Sequence, residues 1–395
     1  MKKRIIALLL ASLMIFTLAS CSGSSSKASA SPSATATPAP SASAAPALKI
    51  GVILVGDESD NGYNYNHVVG IQEMQKSLGI KDEQIIYKSN VPEGAGCDTA
   101  IRELVEAGCN IIFANSFGHE NYMVEVAAEF PDVQFCHATG FVSATDELDN
   151  THNYFASIYE ARYLAGIAAG LKAKEIGNSK LGYVAAKPFA EVISGLTAFY
   201  LGAKSVYPDV TMDVIYTNEW SDATLEAQAA KALIDGGAGV ISQHSDTTAP
   251  ATTAEAAGAF QVGYNADMIS AAPKASLVSA RVDWGVYYTY AIDCMMKGEK
   301  IAQDWCKGLA DKSVYLSPLN DAIIAKGTAE AIEAAKADII AGKLHVFAGP
   351  LTGTGTDFSG KTVTLDLKAG EYFHEQETAS APSFNYIIPG INILK

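Results

Sequence analysis

The side chains able to do chemistry stand in a few short clusters: Asp60, Tyr63 and Asn64, then Phe117, then Trp220, then His244 and Asp246. Their types suit recognition rather than bond making. The rings of Tyr63, Phe117 and Trp220 offer flat apolar faces, Asn64 both donates and accepts, and a carboxylate such as Asp60 or Asp246 is a stronger acceptor than a neutral group. Each has a structural alternative at this level. Aromatic rings also fill cores, Asn64 also suits a helix cap, and Asp60 and Asp246 also suit capping or solvated loop positions. His244 and His137 fit a ligand contact or a satisfied structural histidine equally well, and His119 fits the latter better. Asp267 fits a ligand contact or a hinge, Trp284 a place beside a cleft or in a core, and Lys187 and Glu191 fit a loop equivalent to the one at Asp60–Asn64 or a solvent-facing position. No Ser-His-Asp or Cys-His set stands at matching positions, so these residues point away from catalysis.

The elements that would position them repeat one unit. Ile50, Val52, Ile53, Leu54 and Val55 form a short apolar run of the kind expected of a parallel strand covered on both faces. Val68, Ile71, Met74 and Leu78 recur at helical spacing, with Gly79 where a helix stops. The loop from Asp60 to Asn64 therefore lies at the carboxyl end of a strand, where open α/β sheets bind ligands. Strands are expected at 84–89, 110–114 and 133–136, with helices at 98–107 and around Met123, Val126 and Ala127. From Lys180 the order runs again: strand 181–185, a helix continuing to Leu201 and ended by Gly202, strand 212–217, helix 224–234, strand 240–242, helix 251–257 and strand 260–263. The alternation argues doubly wound parallel sheets with right-handed crossovers, and the repetition argues an α/β fold of two lobes.

A helix at 156–171 would link the lobes, and one at 284–296 would return the chain to the first. The first lobe is then 48–155 plus about 270–318, and the second is 156–269 plus about 319–360, while 361–395 folds over a lobe edge or the hinge. Two such lobes facing one another would close a ligand between their switch points.

The first 47 residues read differently. Lys2, Lys3 and Arg4 precede an apolar run, Ile5 to Leu18, whose 14 residues fall short of the roughly 20 needed to span a bilayer. Residues 1–20 are expected to be a signal peptide. Leu18-Ala19-Ser20-Cys21 resembles a bacterial lipobox, in which Cys21 is lipidated after cleavage, with an ordinary secretory site as the alternative. Residues 22–46 are almost wholly Ser, Ala, Thr and Pro and read as a solvated tether. The expected location is the extracytoplasmic face of the cell membrane, by lipid anchor. All 43 acidic residues follow residue 47, whereas four of the 28 basic ones precede it, so nucleic acid is an unsuitable partner. Cys97, Cys109, Cys136, Cys294 and Cys306 contain no C-x-x-C pair and read as free, mostly buried thiols.

Several short motifs fall in the order of a known family: Asp60-Asn61-Gly62-Tyr63-Asn64, Ser116-Phe117-Gly118, His137-Ala138-Thr139-Gly140, Tyr159-Glu160-Ala161-Arg162-Tyr163, Gln243-His244-Ser245-Asp246, Gly263-Tyr264-Asn265-Ala266-Asp267 and Phe347-Ala348-Gly349-Pro350. From about residue 48 to 350 the chain resembles the basic membrane protein family of bacterial solute-binding lipoproteins, which includes purine and purine-nucleoside receptors of ABC transporters. The resemblance implies a two-lobed type I periplasmic-binding-protein architecture, a purine base or nucleoside as ligand and an ABC permease as partner. It also implies that the aromatic ring at Tyr63 stacks on the base; the family more often has Phe or Trp there. Members that take whole nucleosides often carry Lys before Arg-Val-Asp, whereas Ala280 precedes Arg281-Val282-Asp283 here, which favours a free base. The protein is expected to act as a monomer without metal or organic cofactor. Two alternatives stand beside this reading: a surface sensor that presents its ligand to a receptor, and a nucleoside-hydrolase-like enzyme. The latter rests on Asp57-Glu58-Ser59-Asp60, an incomplete carboxylate cluster of the calcium-binding kind.

Overall fold

The computed structural model describes residues 48–357 and 360–394; the expected signal peptide, Cys21 and the tether lie outside them. The chain begins with β1 (Ile50–Ile53), α1 (Tyr63–Leu78), β2 (Ile85–Lys88), α2 (Ala95–Glu106), β3 (Ile111–Ala114), α3 (Glu120–Glu129), β4 (Gln134–Ala138) and β5 (Thr151–Ala156). Next come α4 (Ile158–Glu175), β6 (Lys180–Ala185), α5 (Ala190–Val206), β7 (Thr211–Tyr216), α6 (Ala223–Asp235), β8 (Val240–His244), α7 (Ala249–Ala257), β9 (Phe260–Tyr264) and β10 (Ser276–Val282). It ends with α8 (Trp284–Lys297), β11 (Asp304–Lys307), β12 (Val314–Leu316), α9 (Thr328–Ile340), β13 (Leu351–Thr356), β14 (Thr362–Leu367), β15 (Tyr386–Ile387) and β16 (Ile391–Ile393).

Two sheets carry the lobes. The first has the order β11-β5-β4-β3-β1-β2, and the second β12-β10-β9-β8-β6-β7-β16. Every pairing in them is parallel except that of β10 with β12. This is the duplicated, doubly wound α/β architecture that the alternation implies. In both lobes the order reverses beside the first strand, between β1 and β3 and between β6 and β8, so a crevice opens at each reversal. Strands β1 and β3 are buried throughout because helices cover both faces, which is why they read as continuous apolar runs.

Besides β10, β11 and β12, which were not expected as strands, three places differ from the expectations. β5 is an unforeseen strand whose sequence, Thr-His-Asn-Tyr-Phe-Ala, carries too many polar letters to read as buried. Most of its polar groups find partners: His152 Nδ1 lies 3.1 Å from Ala302 O and its Nε2 lies 2.8 Å from Gln134 Oε1, while Asn153 Oδ1 accepts from Ser143 Oγ at 3.1 Å. Gly202 does not end a helix but sits inside α5, where a Cβ would come 1.9 Å from Tyr163 O. Gly166 of α4 makes the reciprocal approach to Phe199 O, so α4 is packed into the second lobe against α5 rather than serving as a linker alone. The lobe boundaries also move, because β10 belongs to the second sheet. The chain therefore returns to the first lobe at Asp283 rather than near 270, and leaves it between β11 and β12 rather than at 318.

The hinge thus has three crossings, at Ser157, Asp283 and residues 308–313, tied by Ser157 N donating to Lys307 O at 2.9 Å and Asp283 N to Ser313 O at 2.8 Å. The last segment spreads over the second lobe and the hinge. β14 and β15 flank β13 antiparallel, β16 extends the second sheet beside β7, and Gln376 accepts from Ser157 Oγ at 3.0 Å. All five cysteines among the described residues are free, four of them buried.

Candidate functional site: a closed cleft between two switch points

The loops at the four strand ends beside the crevices meet face to face. Between them lies a cleft, narrowed to a cavity of about 30 Å³ in this closed form, lined by Val55, Tyr63, Asn115, Ser116, Phe117 and Thr139 from the first lobe and by Glu191, Trp220, His244, Asp246 and Tyr264 from the second. Tyr63, Phe117, Trp220, His244 and Asp246 are thereby brought together as their types suggested. Four other expected site residues are not.

Asp60 is a cap. Its carboxylate accepts from the backbone N–H of Gly62 (2.9 Å), Asn64 (2.8 Å) and Tyr65 (3.1 Å), so the free amides that open α1 consume it. Asn64 is buried, donating to Asp60 at 2.9 Å and accepting from Asn115 Nδ2 at 2.8 Å and Gly56 N at 3.3 Å. These two residues hold the loops after β1 and β3 in register, and neither lines the cavity. Asp267 accepts from Ile269 N at 3.0 Å and shapes a turn away from the cavity. Trp284 is only 2% exposed and stacks on His67 with centroids 4.2 Å apart, because it opens α8 against α1. Two further histidines are structural: His137 Nε2 lies 2.6 Å from Ser116 O, and His119 Nε2 lies 3.1 Å from Val91 O. Burial pushes both down to about 4, so they are neutral.

The cavity groups are held firmly. Tyr63 stands on the first turn of α1, donates its hydroxyl to Asn115 O at 2.5 Å and meets His67 edge to face at 4.5 Å. At the mouth, Phe117 and Phe189 face each other across the lobes at 5.7 Å, and Phe189 lies 6.0 Å from Trp220. The Lys187 ammonium sits 5.2 Å over the Trp220 ring and 3.9 Å from Glu93 of the first lobe. On the second lobe, Asp222 caps α6 by accepting from Thr224 N and Leu225 N, both at 2.9 Å. Glu226, one turn on, accepts from Ser245 Oγ (2.9 Å) and Thr247 Oγ1 (2.7 Å) and so fixes the loop bearing Asp246.

Electrostatically the floor is an acidic pocket kept largely uncharged. Burial, together with the nearby Asp60, Glu226 and Glu191, raises Asp246 well above the usual carboxylate range; Asn265 Nδ2 donates to it at 3.3 Å and opposes the shift. Burial, and the Arg162 guanidinium beside it, push His244 well below its ordinary value. Its 3.5 Å approach to Glu191 is therefore that of a neutral imidazole rather than an ion pair. Glu191 is raised to about 7, chiefly by burial, with Arg162 opposing and Glu93 adding. Arg162 is 1% exposed, donates to Gln243 O at 2.7 Å and lies 3.5 Å over the Tyr264 ring.

The lining residues not foreseen as site residues are Val55, Asn115, Ser116, Thr139, Glu191 and Tyr264. Ser116, Thr139 and Tyr264 lie within strand-end motifs, which was the available signal. For Glu191 the signal was its place in the loop equivalent to Asp60–Asn64, offset by the fact that a charged residue opening a helix reads as solvated until a second lobe covers it.

The lobes are closed on one another. A Cβ at Gly62 would come 2.0 Å from Asp246 O, and Asn66 Nδ2 donates to Val282 O at 2.7 Å near the hinge.

Residues 47–344 match the model of a family described as ABC transporter substrate-binding protein PnrA-like. The chain is 35% identical over 346 residues to a purine-binding protein of Brucella abortus, covering 87% of this chain and 93% of that one. It is 30% identical over 297 residues to a protein of Haloferax volcanii named as a candidate ABC transporter glucose-binding protein, covering 75% of this chain and 73% of that one. Among solved structures, an ABC transporter solute-binding protein of Aeropyrum pernix superimposes with a TM-score of 0.64 at 19% identity, covering 77% of this chain and 94% of the other. That likeness speaks for the fold alone. With the family's extent matched and a relative similar over almost its whole length, the chain belongs to the PnrA-like family of ABC transporter substrate-binding proteins.

Proposed function

We propose that the protein captures a purine nucleobase in the cleft and presents it to an ABC permease at the extracytoplasmic face of the cell membrane, where Cys21 anchors it through lipid. The observation that carries this reading is the pairing, in one cavity, of aromatic rings from both lobes with buried hydrogen-bonding groups at both switch points. A flat heterocycle needs both: stacking on an aromatic side chain contributes about 1–3 kcal/mol per base, and the base edge needs partners such as Ser116, Glu191, His244 and Asp246. No lysine or arginine side chain is among the lining residues; the nearest cations are Arg162, behind the Tyr264 ring, and Lys187, over the Trp220 ring. The likeness to the Brucella protein supports the purine, and Ala280 in place of lysine supports a free base. Ligand would land on one lobe, the other would rotate about the three crossings, and the permease would read the closed shape. Binding without turnover, by a monomer, completes the proposal.

Thermal-shift screening of the purified protein against bases, nucleosides, sugars and amino acids tests it. A bound ligand should raise the melting temperature by linkage, and adenine, guanine or hypoxanthine should give the largest rise. Stabilisation by glucose or another sugar alone would overturn the purine assignment. Conversion of a nucleoside to free base in the same mixture would overturn the non-enzymatic one.

A further inference from the structure

One carboxyl on the cavity wall is left unused by the chain. Glu191 has a side chain 14% exposed, and among the described residues its nearest polar partner is His244 Nε2 at 3.5 Å. Of the acidic residues around it, Asp60 is taken by the opening of α1, Glu93 by Ser116 Oγ (2.6 Å) and Gly118 N (3.0 Å), and Glu226 by Ser245 and Thr247, while Asp246 accepts from Asn265 Nδ2 at 3.3 Å. A buried carboxyl without a good partner is costly, and a ligand that supplies one recovers that cost.

We propose that Glu191 is the specificity-determining residue of the cleft, its carboxyl meeting the hydrogen-bonding edge of the bound heterocycle. This rests on the reading of the cleft as a purine site. The titratable and charged groups facing Glu191 are Arg162 from α4, His244 and Asp246 from the end of β8 and the loop after it, Tyr264 from β9, Tyr63 from α1, Glu93 from the first lobe and Lys187 from its own loop. In that setting the carboxyl changes charge near pH 7, being raised to about 7 by burial against the opposition of Arg162. A neutral carboxylic acid presents one donor beside one acceptor, as an amide does, whereas a carboxylate presents acceptors only.

The two common purines differ in the same way. Adenine offers an amino donor beside a ring-nitrogen acceptor, and guanine offers adjacent N–H donors on N1 and N2. The neutral acid matches adenine and the carboxylate matches guanine. Selectivity therefore turns with pH: adenine is favoured on the acid side, and its advantage is lost as Glu191 ionises.

Calorimetric titration of adenine and guanine into the wild-type protein and Glu191→Gln, at about pH 5.5 and about pH 8.5, tests this. The wild-type ratio of adenine to guanine affinity should fall about tenfold or more between the two conditions, the equivalent of one mismatched hydrogen bond. Glu191→Gln keeps the donor-acceptor pair and the side-chain size, so it should hold the acid-side ratio at both pH values; its unliganded melting temperature checks the fold. A flat wild-type ratio, or a variant that keeps the pH swing, would show that Glu191 does not read the ligand even though purines bind. A protein that binds neither base and is stabilised by a sugar would instead remove the purine reading, and this inference with it.

Discussion

Asp60 and Tyr63 are three residues apart, yet one serves the chain and the other faces the cavity. Asp60→Ala should destabilise the protein by about 1–2 kcal/mol, the range of a lost helix cap, seen as a lower urea midpoint without ligand. Trp220→Ala, at a half-buried ring on the cavity, should leave that midpoint nearly unchanged and weaken purine binding by about 1–3 kcal/mol in calorimetry. The contrast marks what was legible at this scale. The aromatic residues after strand ends at 63, 117 and 220 do line the cavity. Carboxylates and amides at helix starts carry the same letters whether they cap or bind, and only the hydrogen bonds of Asp60 and Asn64 separate the two roles. Charge state follows the same local logic. Glu191, raised to about 7 in the fold, contributes stability fully present below its ordinary value near 4.5 and lost as pH rises through about 7. His119 and His137, held near 4, do the opposite: their contribution is present above about 6.5 and lost as pH falls towards 4. Glu191→Gln should therefore gain stability over the wild type more at pH 8 than at pH 5, measured as urea midpoints of the unliganded proteins.

At the scale of elements, the strands and helices that carry apolar periodicity were read to within a few residues, and the misses have particular causes. β5 hides because its histidine finds a partner on the neighbouring strand and its threonine and asparagine find theirs in the loop before it, so its letters do not report its burial. Gly202 misleads because glycine both ends helices and lets them touch, and here the second use applies. Gly202→Val should drive α4 and α5 apart and cost about 3 kcal/mol, at the upper end of ordinary overpacking; a urea midpoint within error of wild type would show that the helices yield freely. The lobe boundary moved for a related reason. β10 pairs with β9 as the next parallel strand of its sheet, and nothing in its own sequence distinguishes that from the start of a return to the first lobe.

For the whole molecule, the two-lobed plan was legible because the same order of strand and helix occurs twice, but the closeness of the lobes was not. Lys187 and Glu93 meet across the mouth, and a partly exposed pair of this kind contributes at most about 1 kcal/mol. Lys187→Glu should accordingly shift the unliganded protein towards a more open form, read as a larger radius of gyration in solution scattering, and weaken binding a few-fold; the double exchange with Glu93→Lys should restore both. Gly62 sets a harder limit, since its backbone lies against Asp246 O with no space for a methyl group. The stopping point of closure is thus fixed by main chain on main chain and not by the cargo. On the function proposed above, any ligand small enough to be enclosed would yield the same outer silhouette, so the permease would receive a yes-or-no message about occupancy and learn nothing of which molecule is inside. Discrimination has to be finished before the lobes shut, and a molecule slightly too large to allow that last contact would leave the receptor loaded but mute, an inhibitor by occupancy alone.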